Sequence, residues 1–235
     1  MAAKKKATSP KPTKKSASPS PAPQPPLKKT LPAPRELHRL GSGLAALAAV
    51  TGSSKFFVSN LPTLWTFRLD RGNGDELLFF VSPAGYFARG IDHEAPRSPY
   101  EVGHIWPGTF AGLPHELESL ASLTTEADAE LFADAPAGKG KYPASTFVAW
   151  GLPGAEEWTR GALAEGAPES GEDFLVSCLD PSIDFEGLGN VLVAKALRNE
   201  SLTDAELAKH VKGAGLERVR GRLESAGYGK PLPFS

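Results

Sequence analysis

Apolar positions along this chain fall first at helical spacing, then at a period of two, then at helical spacing again. Leu37, Leu40, Leu44 and Leu47 recur at i, i+3, i+7 and i+10, so 36–50 is predicted as an amphipathic helix ended near Gly52. Gly41 and Gly43 are weak helix formers inside it. From 55 the pattern is that of strands. Residues 55–59 are rich in β-formers, and over 64–70 Trp65, Phe67 and Leu69 alternate with Leu64, Thr66, Arg68 and Asp70. Gly72-Asn73-Gly74-Asp75 is a hairpin signal, and 76–82 returns as a mostly apolar strand, which suits a central position. Pro83-Ala84-Gly85 then turns the chain into a strand over 86–92. Strands joined so tightly predict an antiparallel meander.

Between 93 and 113 six Gly or Pro residues and three aromatics replace the alternation. This predicts a long ordered loop anchored by Tyr100, Trp106 and Phe110, and loops of this length inside a compact domain often carry function. Pro114 opens a helix to about 123, with Leu113, Leu117, Leu120 and Leu123 at helical spacing. Thr124 or Thr125 caps a second short helix to Phe132, and 135–143 reads as a Gly/Lys loop. A strand over 145–151, a helical turn or two over 154–160 around Trp158, an acidic loop over 165–173 and a last strand over 174–179 complete the body. Three helical patterns follow, at 189–198, from the capping box Thr203-Asp204-Ala205-Glu206 to Val211, and at 216–226. The expected fold is α+β: an antiparallel sheet of about five strands with helices on one face. The expected organisation is a disordered tail over 1–35, the α+β domain over 36–186 and a small helical C-terminal module over 187–235, packed on the domain or independent of it.

Charge changes this picture at the N-terminus. The net charge of −1 hides an asymmetry: nine of the 26 basic residues and none of the 27 acids precede position 36, leaving 17 bases against 27 acids in the remainder. Residues 1–35 also hold nine Pro and few large aliphatics, so they cannot bury enough apolar surface to offset the entropy of ordering. Lys4, Lys5, Lys6, Lys14, Lys15, Lys28 and Lys29 fall in runs separated by Ser-Pro and Pro-rich spacers, with a Ser9-Pro10-Lys11 step. The tail's composition resembles that of linker-histone tails, which implies salt-sensitive, sequence-independent binding of nucleic acid or another polyanion. The bland alternative is a solvated linker.

The C-terminal stretch LTDAELAKHVKGAGLERVRGRLESAGYG is similar to the three-helix core of winged helix-turn-helix domains. That resemblance implies a recognition helix at 215–226 with Arg218, Arg220 and Arg222 toward DNA. Two features depart from it: Gly221 interrupts the helix, and little chain follows Tyr228 to form a wing. The alternative is a helical hairpin docked on the main domain.

Candidate chemistry is sparse. Cys178 is the one cysteine, which rules out an internal disulfide and reads as a small core residue. P-loop, dinucleotide-binding and nucleophile-elbow patterns are absent. No apolar run approaches the roughly 20 residues of a membrane span, and no apolar region follows the N-terminal lysines as in a secretory signal. The expected compartment is the cytoplasm, with no membrane partner and no cofactor or metal. Asp92-His93-Glu94 places three ligand types in a row, with His104 and His115 following at intervals of eleven. The zincin spacing fails at both starts, where Arg97 and Ser119 stand in place of the second histidine. A metal-dependent hydrolase would be built from Asp92, His93, Glu94 and His104, with Glu94 as base and His93 and His104 as ligands or acids. The structural alternative has His93 and Glu94 tying down the loop, through hydrogen bonds and a pair with Arg89 or Arg97.

Tyr86, Arg89, Arg97, Tyr100 and Trp106 are residue types enriched at interface hot spots, and each is a candidate binding residue. The leading expectation is a non-catalytic protein-interaction protein. A leading helix, a meander, later strands and helices on an acidic body are similar in order to bacterial immunity proteins, which implies a basic protein partner. The metal-dependent hydrolase and a nucleic-acid-associated protein are the alternatives.

Overall fold

A computed structural model describes residues 30–124, 132–134 and 141–231. The expectations for the tail up to residue 29, including the seven candidate lysines, lie outside the described residues. So does most of the short helix expected from Thr124 or Thr125. Among the described residues the strands are β1 (Phe56–Leu61), β2 (Leu64–Asp70), β3 (Glu76–Ser82), β4 (Gly85–Ile91), β5 (Phe132–Asp134), β6 (Lys141–Pro143) and β7 (Phe147–Gly151). The helices are α1 (Pro34–Thr51), α2 (Pro99–Val102), α3 (Glu118–Ala121), α4 (Glu172–Ser177), α5 (Pro181–Asp184), α6 (Asn190–Leu197), α7 (Asp204–Leu207) and α8 (Ala214–Ser225).

The protein is α+β. Five strands form an antiparallel sheet in the order β1-β2-β3-β4-β7, and β5 and β6 pair separately. Tight turns set the register. The two-residue connection Pro83-Ala84 pairs Ser82 with Gly85, and the register runs to Glu76 opposite Ile91. Strand alternation then sorts the side chains. Trp65, Phe67, Phe79, Ala88 and Ala149 face α1, which contributes Leu37, Leu44 and Leu47. α1 starts with Pro34 at its first turn and stops at Gly52, whose φ of 77° suits a left-handed cap. Each large side chain fully buried here contributes roughly 1.5–3 kcal/mol relative to exposure.

The C-terminal helices share this core: Leu192 and Ala196 of α6, Leu207 of α7 and Val219 of α8 belong to the same cluster. α6 approaches α1 so closely that a Cβ at Gly43 would lie 2.6 Å from the Ala196 carbonyl oxygen. The opposite face of the sheet is covered too. Leu78, Phe80, Phe87, Val148 and Trp150 lie beneath Ile105, Phe110, Leu117 and Leu120, which come from the 104–120 segment.

Several elements differ from the sequence expectation. The 174–179 stretch is not a strand: α4 runs from Glu172, with Glu172 and Asp173 in its first turn, where acidic groups suit the helix dipole. An apolar run this short fits a strand or a buried helix equally well. Cys178 is buried, as expected, but just past that helix, and Arg71 Nη1 donates to its sulfur at 2.9 Å. The 154–160 stretch is not helical. Thr159 bridges back to Trp150 and so covers part of the outer edge of β7. The helix expected at 114–123 is a 3₁₀ turn, His115–Leu117, followed by the single turn of α3. Residues 141–143 are strand rather than loop, and Phe132 starts β5 rather than ending a helix.

Candidate functional site

The exit of β4 gathers charge. Extending the β3–β4 register by one residue sets Asp75, at the end of the hairpin, beside Asp92. Potential ligand atoms of Asp75, Asp92 and His93 lie within 4.8 Å of one another, and both carboxylates are buried. Asp75 Oδ1 accepts two bonds from His93, from the backbone N–H at 3.0 Å and from Nδ1 at 2.7 Å. Asp92 Oδ1 accepts the Glu94 N–H at 3.1 Å. Its other oxygen abuts Gly171, where a Cβ would come within 2.0 Å. Gly171 has a φ of 68°, so this position demands glycine for conformation and for space.

The electrostatics follow from these contacts. Burial alone would raise the Asp75 carboxyl, but bonds from His93 and Asn73 outweigh it and hold the group below its ordinary value. The bond to Asp75 raises the His93 imidazole. Burial raises Asp92, and the neighbouring Asp75 charge adds to the rise. His93 is thus fixed with Nδ1 toward a carboxylate, an orientation a general base or a ligand would need. Its Nε2 meets only the exposed Glu94, at 3.8 Å, and among the described residues no hydroxyl or thiol bonds to it.

His104 does not join this group. It is exposed and stacks on Trp106, with ring centroids 6.4 Å apart. The loop is tied down by His93, as the structural alternative holds, but through Asp75 rather than an arginine, and Glu94 projects to solvent. Of the candidate binding residues, Tyr86 and Arg89 are buried in the sheet instead of lying at the surface. Both sit on β4, whose two faces are covered, so every side chain of that strand is enclosed. Trp106 is partly buried, and among the described residues its indole N–H has no hydrogen-bond partner. Tyr100 is 51% exposed, while Ala95, Ser98, Ile105, Thr109 and Phe110 are the buried residues of the loop.

Arg97 lies at a different point. It is half-buried, with Nε and Nη2 donating to the Pro168 carbonyl at 2.9 and 2.6 Å and Nη1 reaching the Thr146 carbonyl at 3.5 Å. Its backbone N–H bonds the Glu169 carbonyl, so 95–98 is fastened to 168–170. Across from it Arg160 forms a bidentate pair with Glu172 at 2.7 and 2.6 Å. Arg97, Arg160, Ser170 and Glu172 line a cavity of about 190 Å³ and also an adjoining one of about 370 Å³.

Sequence reasoning missed Asp75, Arg160, Ser170 and Glu172. Asp75 had a signal: the Pro83-Ala84 turn fixes the register, and counting back along it reaches Asp75 and Asp92 together. The other three had none, because they meet Arg97 only through tertiary packing of two loops.

On the C-terminal helices, Arg220 is held by Asp204 and Glu217, and Arg222 donates to the Ser53 carbonyl at 3.4 Å. The buried Val219 turns α8 onto the core, and Leu216 and Leu223 pack against it. Among the described residues no helix is long and apolar enough to cross a membrane. No protein-family model matches the chain, and no curated protein or solved structure with which it was compared is significantly similar.

Proposed function

We propose that the protein is a non-catalytic binding protein that recognises a protein partner through the 95–113 loop. One observation carries this reading: a large aromatic side chain, Tyr100, stays half-exposed on a loop that buried Ala95, Ser98, Ile105, Thr109 and Phe110 seat on the body. Tyr100 sits in α2, which Ser98 caps at one end and Gly103 closes in a left-handed conformation at the other. Such a loop loses little conformational entropy on binding, and a rigid aromatic supplies contact area cheaply. Glu101 and His104 are exposed beside it. The acidic balance of residues 36–235 suits a basic partner.

The test compares variants of the full chain in binding to a captured basic partner. Tyr100→Ala combined with His104→Ala is expected to weaken binding at least about tenfold, the range of interface hot spots, with an unchanged melting temperature. Asp92→Asn and His93→Ala are expected to leave binding intact. Loss that follows Asp92 and His93 but not Tyr100 would overturn the reading and favour a hydrolytic site.

A further inference from the structure

The smaller cavity beside Arg97 has a chemistry of its own. Its charged lining is Arg97, Arg160 and Glu172, a balance of one positive charge. Arg160 directs two N–H groups at Glu172, which neutralises it. Arg97 meets only carbonyl oxygens, and among the described residues no carboxylate lies within ion-pair distance of it. A guanidinium has five N–H donors, so some on Arg97 stay unused. Ser170 accepts the Glu172 N–H at 3.3 Å, and its own hydroxyl hydrogen has no acceptor among the described residues. Phe147, Val148 and Leu163 line the same space.

We propose that this cavity binds a small organic monocarboxylate, with the carboxylate on Arg97 and Ser170 and a short apolar group beside Phe147, Val148 and Leu163. One negative charge neutralises the lining, whereas a phosphate dianion overshoots it and leaves the apolar side against a hydrated oxyanion. Planar carboxylate on guanidinium is also the geometry that Glu172 already adopts on Arg160. The cavity, about 190 Å³, is small, which suits a short-chain acid, and butyrate serves as the probe. The inference goes beyond the loop-surface reading and does not depend on it.

The experiment titrates the isotope-labelled full chain with butyrate, 1-butanol and inorganic phosphate, following amide and Arg97 Nε–H resonances by NMR. Saturable shifts at Arg97, Leu163 and Ser170 are expected with butyrate, none with butanol, and phosphate is expected to bind at least about tenfold more weakly. Leu163→Glu sets a competing carboxylate at an exposed position and is expected to weaken butyrate about tenfold or more, as is Arg97→Gln. If Arg97→Gln fails to fold, Leu163→Glu decides alone. Equal shifts with butanol, equal affinity for phosphate, or full butyrate binding by Leu163→Glu would each overturn the proposal. Tyr100→Ala is expected to bind butyrate normally, which separates this result from the partner test.

Discussion

Two histidines carry the sharpest residue-level expectations, with opposite signs. His38 is buried on α1 against Trp65, ring centroids 4.4 Å apart, and burial pushes its imidazole down to about 4. Between its ordinary 6.5 and that value the unfolded chain takes up a proton that the folded chain refuses. Stability therefore falls as pH drops through this window, by on the order of 3 kcal/mol in total. Urea unfolding of wild type and His38→Gln across the window checks this: the wild-type fall is expected to be steeper, and parallel curves would exclude His38 as the source. His93 works the other way. Its folded value is raised by Asp75, so its contribution is complete below the unfolded value and is lost as pH rises through the folded one. Asp75 is depressed, so its contribution is complete above its unfolded value and is lost as pH falls through the folded one. The pair is strongest at mildly acidic pH. Asp75→Asn is expected to bring the NMR titration of His93 back toward 6.5.

At the scale of elements, close approach matters more than propensity. Gly90 on β4 lies under the Phe147 ring of β7, where a Cβ would be 2.2 Å from a ring carbon and 2.8 Å from Leu175 of α4. Gly90→Ala is therefore expected to cost about 1–3 kcal/mol by overpacking. Gly187→Ala, with open space around it, is expected to stay within about 0.5 kcal/mol of wild type. Chemical denaturation of the two variants makes the comparison. The capping box of α7 is complete, with Thr203 and Glu206 each bonding the other's backbone N–H, and Lys195 helps pull the Glu206 carboxyl down to about 2. Thr203→Ala is expected to cost about 1 kcal/mol by the same measurement. This element was legible because its caps are local, four residues long and written in polar side chains. α4 was not, since a short apolar run interrupted only by Ser177 carries no period that separates strand from helix.

At the scale of the whole molecule, α6 and α8 complete the core that α1 and the sheet begin. The full chain is expected to unfold in one cooperative thermal transition, and a chain ending at residue 186 is expected to lose it. Two separate transitions would instead make the C-terminal helices an independent module. The sequence by itself determined the meander: β2 and β3 have the bounds that alternation and turns predict, because period, turn residues and register are all local. It also determined the leading helix, the places of the C-terminal helices and the burial of Cys178, although α7 ends at Leu207, short of the expected Val211. Only the tertiary structure decided which polar groups meet. Arg97 and Pro168 are 71 residues apart, and no local pattern brings them together. The same holds for the placement of candidates. Tyr86 and Arg89 look like surface chemistry in a list of residues, yet β4 is covered on both faces and encloses them. His93 and His104 look like partners at a spacing of eleven, yet His93 is claimed by Asp75 at the sheet's end while the loop carries His104 away to Trp106. Spacing along a chain sets a distance only inside regular structure, and here a long loop intervenes.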